Sequence, residues 1–191
     1  MPEGNPEAYD WELTNPNPYT ILQNSNVQNW LRLIRRAEGT EGGSQSRPNP
    51  WGTTYGFYKF DHSKPHPNKI YPGGKGRPDS DAHGAYQIQS HTWREMWGDK
   101  NVPMTRQNQD LAAVMLLYHR YGIDPRSTEI TRENTAKAAP TWAGLPKMDG
   151  RGHYNADGQS AKDFNTIKSY VDNYNPRNAK THYANGLHTG P

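Results

Sequence analysis

Val27-Gln28-Asn29-Trp30-Leu31-Arg32-Leu33-Ile34-Arg35-Arg36-Ala37-Glu38-Gly39-Thr40 is the stretch around which the rest of this chain is organised. Val27, Trp30, Leu31, Ile34 and Ala37 recur at the three-and-four spacing of one buried helical face, with Ser25 or Asn26 available to cap the start, which predicts a helix over residues 25–38. Gly39 supplies the left-handed residue that commonly ends a helix. Glu38 therefore sits in the last turn, where backbone carbonyls present partial negative charge and discourage its ionisation, and an apolar surround raises its pKa further. A carboxyl kept protonated near neutral pH is what a general acid needs to be, so Glu38 is the candidate catalytic residue. An ordinary solvated glutamate at a helix end accounts for the same spacing, and the decision rests on the residues downstream.

Composition narrows the class. A length of 191 residues fits one domain. The hydrophobic fraction of 31% and mean hydropathy of −1.14 are low, yet 12 Tyr and 6 Trp argue against disorder, so a folded core with long polar loops is expected. The longest apolar run, residues 111–118, is far short of the ~20 residues a membrane span requires. Residues 1–10 carry no basic patch followed by an apolar stretch, so no secretory signal is expected. The absence of Cys leaves neither a disulfide framework nor a thiolate nucleophile. A net charge of +3 and a pI near 9.0 point weakly to an anionic partner, such as nucleic acid or a bacterial cell wall, or to nothing beyond a solvated basic surface. Lys and Arg are scattered without a recognised nucleic-acid-binding signature, so no nucleic-acid partner is expected.

In order, residues 1–24 are rich in Asn and Pro with Tyr9, Trp11 and Tyr19 among them, and read as an extended arm. A catalytic domain spans residues 25–175, and residues 176–191 form a polar tail. Residues 53–60, rich in Thr, Tyr and Phe, predict a strand or small hairpin bent at Gly56, and residues 61–81 a long Pro- and Gly-rich loop. The Gly84 to Gln89 stretch leads to Ser90 or Thr92 as a cap, with Thr92 and Glu95 suited to a capping box before a short helix. Thr105 caps the strongest helix, over residues 106–121, with Leu111, Val114, Met115, Tyr118 and Tyr121 on one face and Gly122 at its end. Shorter helices are expected from Glu133 towards Ala139 and over residues 160–174, the latter with Ser160 and Asp163 as a capping box. The layout is α+β: mainly helical, with one small antiparallel sheet or hairpin beside the acid-bearing helix.

A glycosidase normally uses two carboxylates. Between Gly42 and Phe60, the region placed to face Glu38, there is no Asp or Glu; Asp61, Asp79 and Asp81 all lie in the long loop. Cleavage with one carboxyl is reasonable when the substrate brings its own nucleophile, as N-acetylmuramic acid does with its 6-hydroxyl. The eight His include His62-x-x-x-His66, but Pro65 and Pro67 prevent the helix that would let this pair bind a metal.

Five blocks then occur in order: Arg36-Ala37-Glu38-Gly39-Thr40, Phe60-Asp61-His62, Gly84-Ala85-Tyr86-Gln87-Ile88, Gln109-Asp110-Leu111-Ala112-Ala113 and Trp142-Ala143-Gly144-Leu145-Pro146. Together they resemble the phage lambda endolysin family of lytic transglycosylases, from about residue 29 to residue 171. The resemblance implies a lysozyme-like fold, peptidoglycan glycan strands as substrate, no metal or cofactor, and Glu38 as the single catalytic glutamate. Residues 53–60 depart from the family by being shorter than its hairpin and lacking its paired Gly.

The candidate substrate-binding set is Thr40, Tyr55, Gly84, Tyr86, Gln87, Gln89, Trp142 and Tyr154. Gly84 would let the backbone approach a sugar, and Gln87 would hydrogen-bond a sugar or hold Glu38. Trp142 would stack on a pyranose face or pack in the core; Tyr86 has the same two options. The expected enzyme forms 1,6-anhydromuramic products, works as a monomer without membrane insertion, and waits in the host cytoplasm until the membrane is opened, or travels with the virion. The rival readings are a hydrolytic lysozyme using Asp61, Asp79 or Asp81 as its second group, and a non-catalytic cell-wall-binding module.

Overall fold

The computed structural model describes residues 17–41, 49–74, 78–98, 101–153 and 161–173. Among these, the helices are α1 (Ser25–Glu38), α2 (Ser90–Trp97), α3 (Arg106–Tyr121), α4 (Arg132–Ala138) and α5 (Phe164–Asp172), with short 3-10 segments at Pro18–Gln23, Pro50–Gly52 and Tyr55–Phe57. None of them is long and apolar enough to cross a membrane.

Helix α1 has the predicted bounds, but its cap is Asn24, whose side chain accepts from the N–H groups of Asn26 and Val27, in place of Ser25 or Asn26. Val27, Trp30, Leu31, Ile34 and Ala37 are buried as expected, and so are Leu33 and Arg35. The extra burial follows from packing on several sides: α1 meets α3, α5 and the Pro18–Gln23 segment. That segment, expected as part of an extended arm, is a 3-10 turn that buries Ile21 and Leu22 and ties the Tyr19 hydroxyl to Asn108 on α3.

The central helix is α3, which packs against α1, α2, α4 and Pro18–Gln23. Thr105 caps it and left-handed Gly122 closes it, as predicted. Its burial differs from a one-faced amphipathic helix. Leu111 and Val114 are buried, but Met115, Tyr118 and Tyr121 are half-buried, while Ala112, Ala113, Leu116 and Leu117 are fully covered. A helix with neighbours all round has no solvated stripe to betray its orientation.

Two other caps are corrected. Helix α2 starts at Ser90, so Thr92 lies inside it and the Thr92–Glu95 capping box does not form. The Ser90 N–H instead donates to Asp81 Oδ2 at 3.3 Å, across the preceding turn. Helix α5 starts at Phe164 with Asp163 as its cap, accepting from the Thr166 N–H at 2.9 Å. The expected Ser160 start lies outside the described residues. Helix α4 is capped by Thr131.

In place of a regular sheet, the described residues hold isolated antiparallel bridges, including Thr53↔Lys59, Thr54↔His83 and His83↔Ile88. The reason is local: Gly56 (φ 75°) and Phe57 (φ 66°) are both left-handed, so the chain reverses at once and leaves little extended backbone to pair. The long loop at 61–81 is fastened by further bridges, Pro65↔Pro103 and Tyr71↔Ser80.

Candidate active site

The acid is placed by the end of α1. Gly39 adopts the left-handed conformation (φ 75°) and its N–H caps the carbonyls of Arg35 and Arg36, which ends the helix at Glu38. Glu38 is half-buried. Its Oε1 accepts a hydrogen bond of 3.1 Å from the Gly144 N–H. Gly144 has to be glycine for this contact: a Cβ there would lie 2.2 Å from the Ala37 carbonyl oxygen. The Gly144 carbonyl in turn accepts from the Lys162 N–H at 3.0 Å, so the segment leading into α5 closes the same corner. Burial pushes the Glu38 carboxyl up to about 7, against the opposing pull of the Gly144 hydrogen bond and the Lys162 charge. A carboxyl at that value holds its proton about half the time at neutral pH, which suits it to give and take one.

Beneath the acid lies a buried charge cluster that the sequence pattern did not reveal. Arg35 donates to Glu41 and to the Tyr86 hydroxyl (2.7 Å) and lies 3.9 Å from Asp110. Asp110, fully buried on α3, accepts from the Tyr86 hydroxyl and from Trp51 Nε1 (3.1 Å), with Arg106 3.8 Å away. Burial works against the Arg35 charge, but Tyr86, Glu41 and Asp110 outweigh it and hold the guanidinium firmly protonated. Burial also raises Asp110 despite its cationic neighbours, and raises the Tyr86 phenol. For Glu41 the balance reverses: burial is overcome by Arg35 and Arg32, and its pKa is lowered.

The predicted substrate set divides sharply. Thr40 is fully buried, and its hydroxyl donates to the Ala85 carbonyl at 2.7 Å, joining the end of α1 to the turn at 84–87. Tyr86 is fully buried in the charge cluster, and Trp142 is 1% exposed with its Nε1 donating to the Tyr86 carbonyl at 3.2 Å. All three are buried and make packing and hydrogen-bond contacts within the protein. Gly84 is also buried: a Cβ there would meet Gln109 Oε1 at 2.1 Å, so its glycine serves the fit to Gln109. Gln109 accepts from the Ala85 N–H at 2.9 Å and donates to the Trp51 carbonyl at 3.0 Å, locking the turn from beneath.

Gln87 is half-buried and left-handed (φ 47°), and its amide donates back to the Gly84 carbonyl at 2.9 Å, with no hydrogen bond to Glu38. Gln89 is exposed and Tyr55 half-exposed, its hydroxyl donating to the Pro78 carbonyl at 3.3 Å. Tyr154 lies outside the described residues. The three loop aspartates are engaged elsewhere: Asp61 accepts from Ser63, Asp79 from the Gly73 N–H and Asp81 from the Ser90 N–H. His66 is buried, with its Nε2 3.1 Å from the Ile88 carbonyl oxygen and its ring edge-on to His83.

Sequence reasoning missed Arg35, Gln109, Asp110, Gly144 and Lys162 as parts of this construction. Gln109, Asp110 and Gly144 sat inside the quoted blocks, and polar residues within a buried helix were a usable signal for the first two. Nothing local marked Lys162.

A family model described as Endolysin matches residues 28–175 of the chain. Among solved structures, bacteriophage lambda lysozyme complexed with a chitohexasaccharide aligns with a TM-score of 0.63 at 22% identity, covering 78% of this chain and 93% of that one. A second structure of the lysozyme from bacteriophage lambda aligns with a TM-score of 0.61 at 20% identity and the same coverage. No curated protein matches the chain by sequence. At these identities the structural likeness establishes a lambda lysozyme-like, mainly helical fold.

Proposed function

The chain belongs to the endolysin family of phage enzymes that degrade the host cell wall, and on that premise we propose that it is a lytic transglycosylase with Glu38 as its single acid and base. One observation carries the reading. Glu38 is half-buried, pushed up to about 7, contacted by one backbone N–H and free of ion pairs among the described residues. An exposed, ion-paired glutamate would have favoured a wall-binding module without chemistry.

The substrate is the bond between C1 of N-acetylmuramic acid and O4 of N-acetylglucosamine. The chitohexasaccharide complex of lambda lysozyme supports a glycan strand as the substrate of this site. Because Oε1 of Glu38 accepts from Gly144, Oε2 is the oxygen left to carry the proton. That proton passes to O4 as the C1–O4 bond breaks. The muramic 6-hydroxyl then forms the new bond to C1, its proton goes to the Glu38 carboxylate, and the acid is regenerated with a 1,6-anhydro product. No water is consumed, so no second carboxylate is needed. Asp61, Asp79 and Asp81, each occupied by its own turn or cap, support this over the hydrolytic alternative. Tyr55, Gln87 and Gln89 remain the candidate sugar contacts of the predicted set, since they retain exposure.

The test is mass analysis of sugars released from purified peptidoglycan. Muramic ends lighter by one water than hydrolysis gives are expected. Reducing muramic ends, together with collapse of activity in Asp61→Asn, Asp79→Asn or Asp81→Asn, would reassign the chain as a hydrolytic lysozyme.

A further inference from the structure

Lys162, in the segment leading into α5, has its backbone N–H committed to the loop that holds the acid and its ammonium beside the Gly39 turn that follows Glu38. Its N–H is fixed to the Gly144 carbonyl at 3.0 Å, and Gly144 in turn donates to Glu38 at 3.1 Å. Its ammonium nitrogen lies 3.7 Å from where a side chain at Gly39 would begin, beside the residue that follows Glu38. Lys162 makes no ion pair among the described residues. Among the described residues, the other charges near the end of α1 are spoken for: Arg35 is held by Glu41 and Asp110, Arg36 lies over the Tyr170 ring at 4.9 Å, and Glu41 is bound by Arg32 and Arg35. The loop 142–146 carries no charged side chain, and neither does the Tyr55–Phe57 turn.

We propose that Lys162 is a positioning residue of the Glu38 site, its ammonium reaching over the Gly39 turn to stabilise the carboxylate that Glu38 becomes once its proton has gone to the leaving oxygen. The inference rests on Glu38 as acid and base. A single-carboxyl cycle passes through an anion in a partly desolvated pocket, and with no second carboxylate or bound water required, a neighbouring cation is the group that steadies it. The same charge keeps the resting carboxyl from rising further, so that the acid surrenders its proton near neutral pH. The bond from the Lys162 N–H to Gly144 makes the device rigid, because the main chain that carries the cation also orients the N–H that holds Glu38.

The test is the pH dependence of kcat/KM on solubilised peptidoglycan for the wild type, Lys162→Met and Lys162→Arg, with circular dichroism to verify the fold and Lys162→Gln as a second neutral variant. Loss of the cation raises the Glu38 pKa, so the alkaline limb, where the acid loses its proton, should move to higher pH in Lys162→Met and Lys162→Gln. It should stay in place in Lys162→Arg. A limb that is unmoved in both neutral variants, or that moves to lower pH, overturns the proposal while leaving Glu38 as the acid. Glu38→Gln, assayed beside them, separates the two failures: wild-type rates in that variant would remove the acid assignment itself.

Discussion

Glu38 and Glu41 lie three positions apart on either side of Gly39, yet their surroundings drive them in opposite directions. Glu41 is bound by Arg32, Arg35 and the Tyr170 hydroxyl and held below the usual carboxylate range. Glu38 has one backbone N–H and a partly buried pocket, and rises to about 7. Both experience desolvation. What differs is the number of cations in direct contact, and this sorts a structural anion from a proton carrier. Gly39 draws the line between them, because the helix that would have kept the two side chains on one face ends there.

The largest expected effect is on catalysis. Glu38→Gln keeps the shape and removes the proton, so cleavage of purified wall should fall by ~10²–10⁴-fold while wall binding and fold persist. The same variant should sharpen the comparison through stability. A carboxyl whose folded pKa exceeds its unfolded value of 4.5 holds a proton that the unfolded chain has lost, so its contribution declines as pH rises from 4.5 towards 7. Urea titrations at a series of pH values should find Glu38→Gln more stable than the wild type above neutrality, by on the order of 3 kcal/mol at most, with the gap closing towards pH 4.5.

Glu41→Gln should behave in the opposite sense. Its lowered pKa contributes stability that is present above the unfolded value and lost as pH falls through the folded one, so the variant should be less stable near pH 7, by about 3 kcal/mol, since buried Arg35 loses a partner. The deficit should shrink in acid. Equal pH slopes for the two variants would break the contrast.

Gly144→Ala should cost about 1–3 kcal/mol of stability, because the added methyl meets the Ala37 carbonyl, and should lower activity as well by withdrawing the N–H from Glu38. Differential scanning calorimetry and wall turbidity assays read the two effects. The smallest effect belongs to Asp61→Asn, on an exposed turn, with stability indistinguishable from wild type and activity retained.

The outcome for the sequence follows the range over which each feature is encoded. The bounds of α1 and α3 were legible because periodicity and the closing glycine are written within a few positions, although the α1 cap, Asn24, lies one residue before the candidates. The start of α2 was not, since its cap position is Gln89, which has no capping side-chain bond, and its first N–H is met by Asp81 from nine residues away across a turn. Residues 53–60 looked extended by composition, and the left-handed pair Gly56–Phe57 overrode that preference. At the site, the position of Glu38 could be read, but the meaning of its neighbours could not. Trp142 carries the residue type of a sugar platform, and burial against Tyr86 gives it a packing role. Arg35 and Asp110 break the apolar pattern of their helices, and their reason for doing so appears only when α1 and α3 are brought together. Lys162 is joined to the Glu38 corner through Gly144, a link between distant segments that no local rule anticipates.

The central claim is that the fold holds Glu38 as a carboxyl poised near neutrality while its neighbour stays ionised. The most direct measurement is a carbon-13 NMR titration of the glutamate side-chain carboxyls, with Glu38→Gln and Glu41→Gln used to assign the two resonances. The account predicts a Glu38 midpoint near 7 and a Glu41 midpoint below the usual carboxylate range. A Glu38 midpoint at the ordinary value of 4.5 would contradict it.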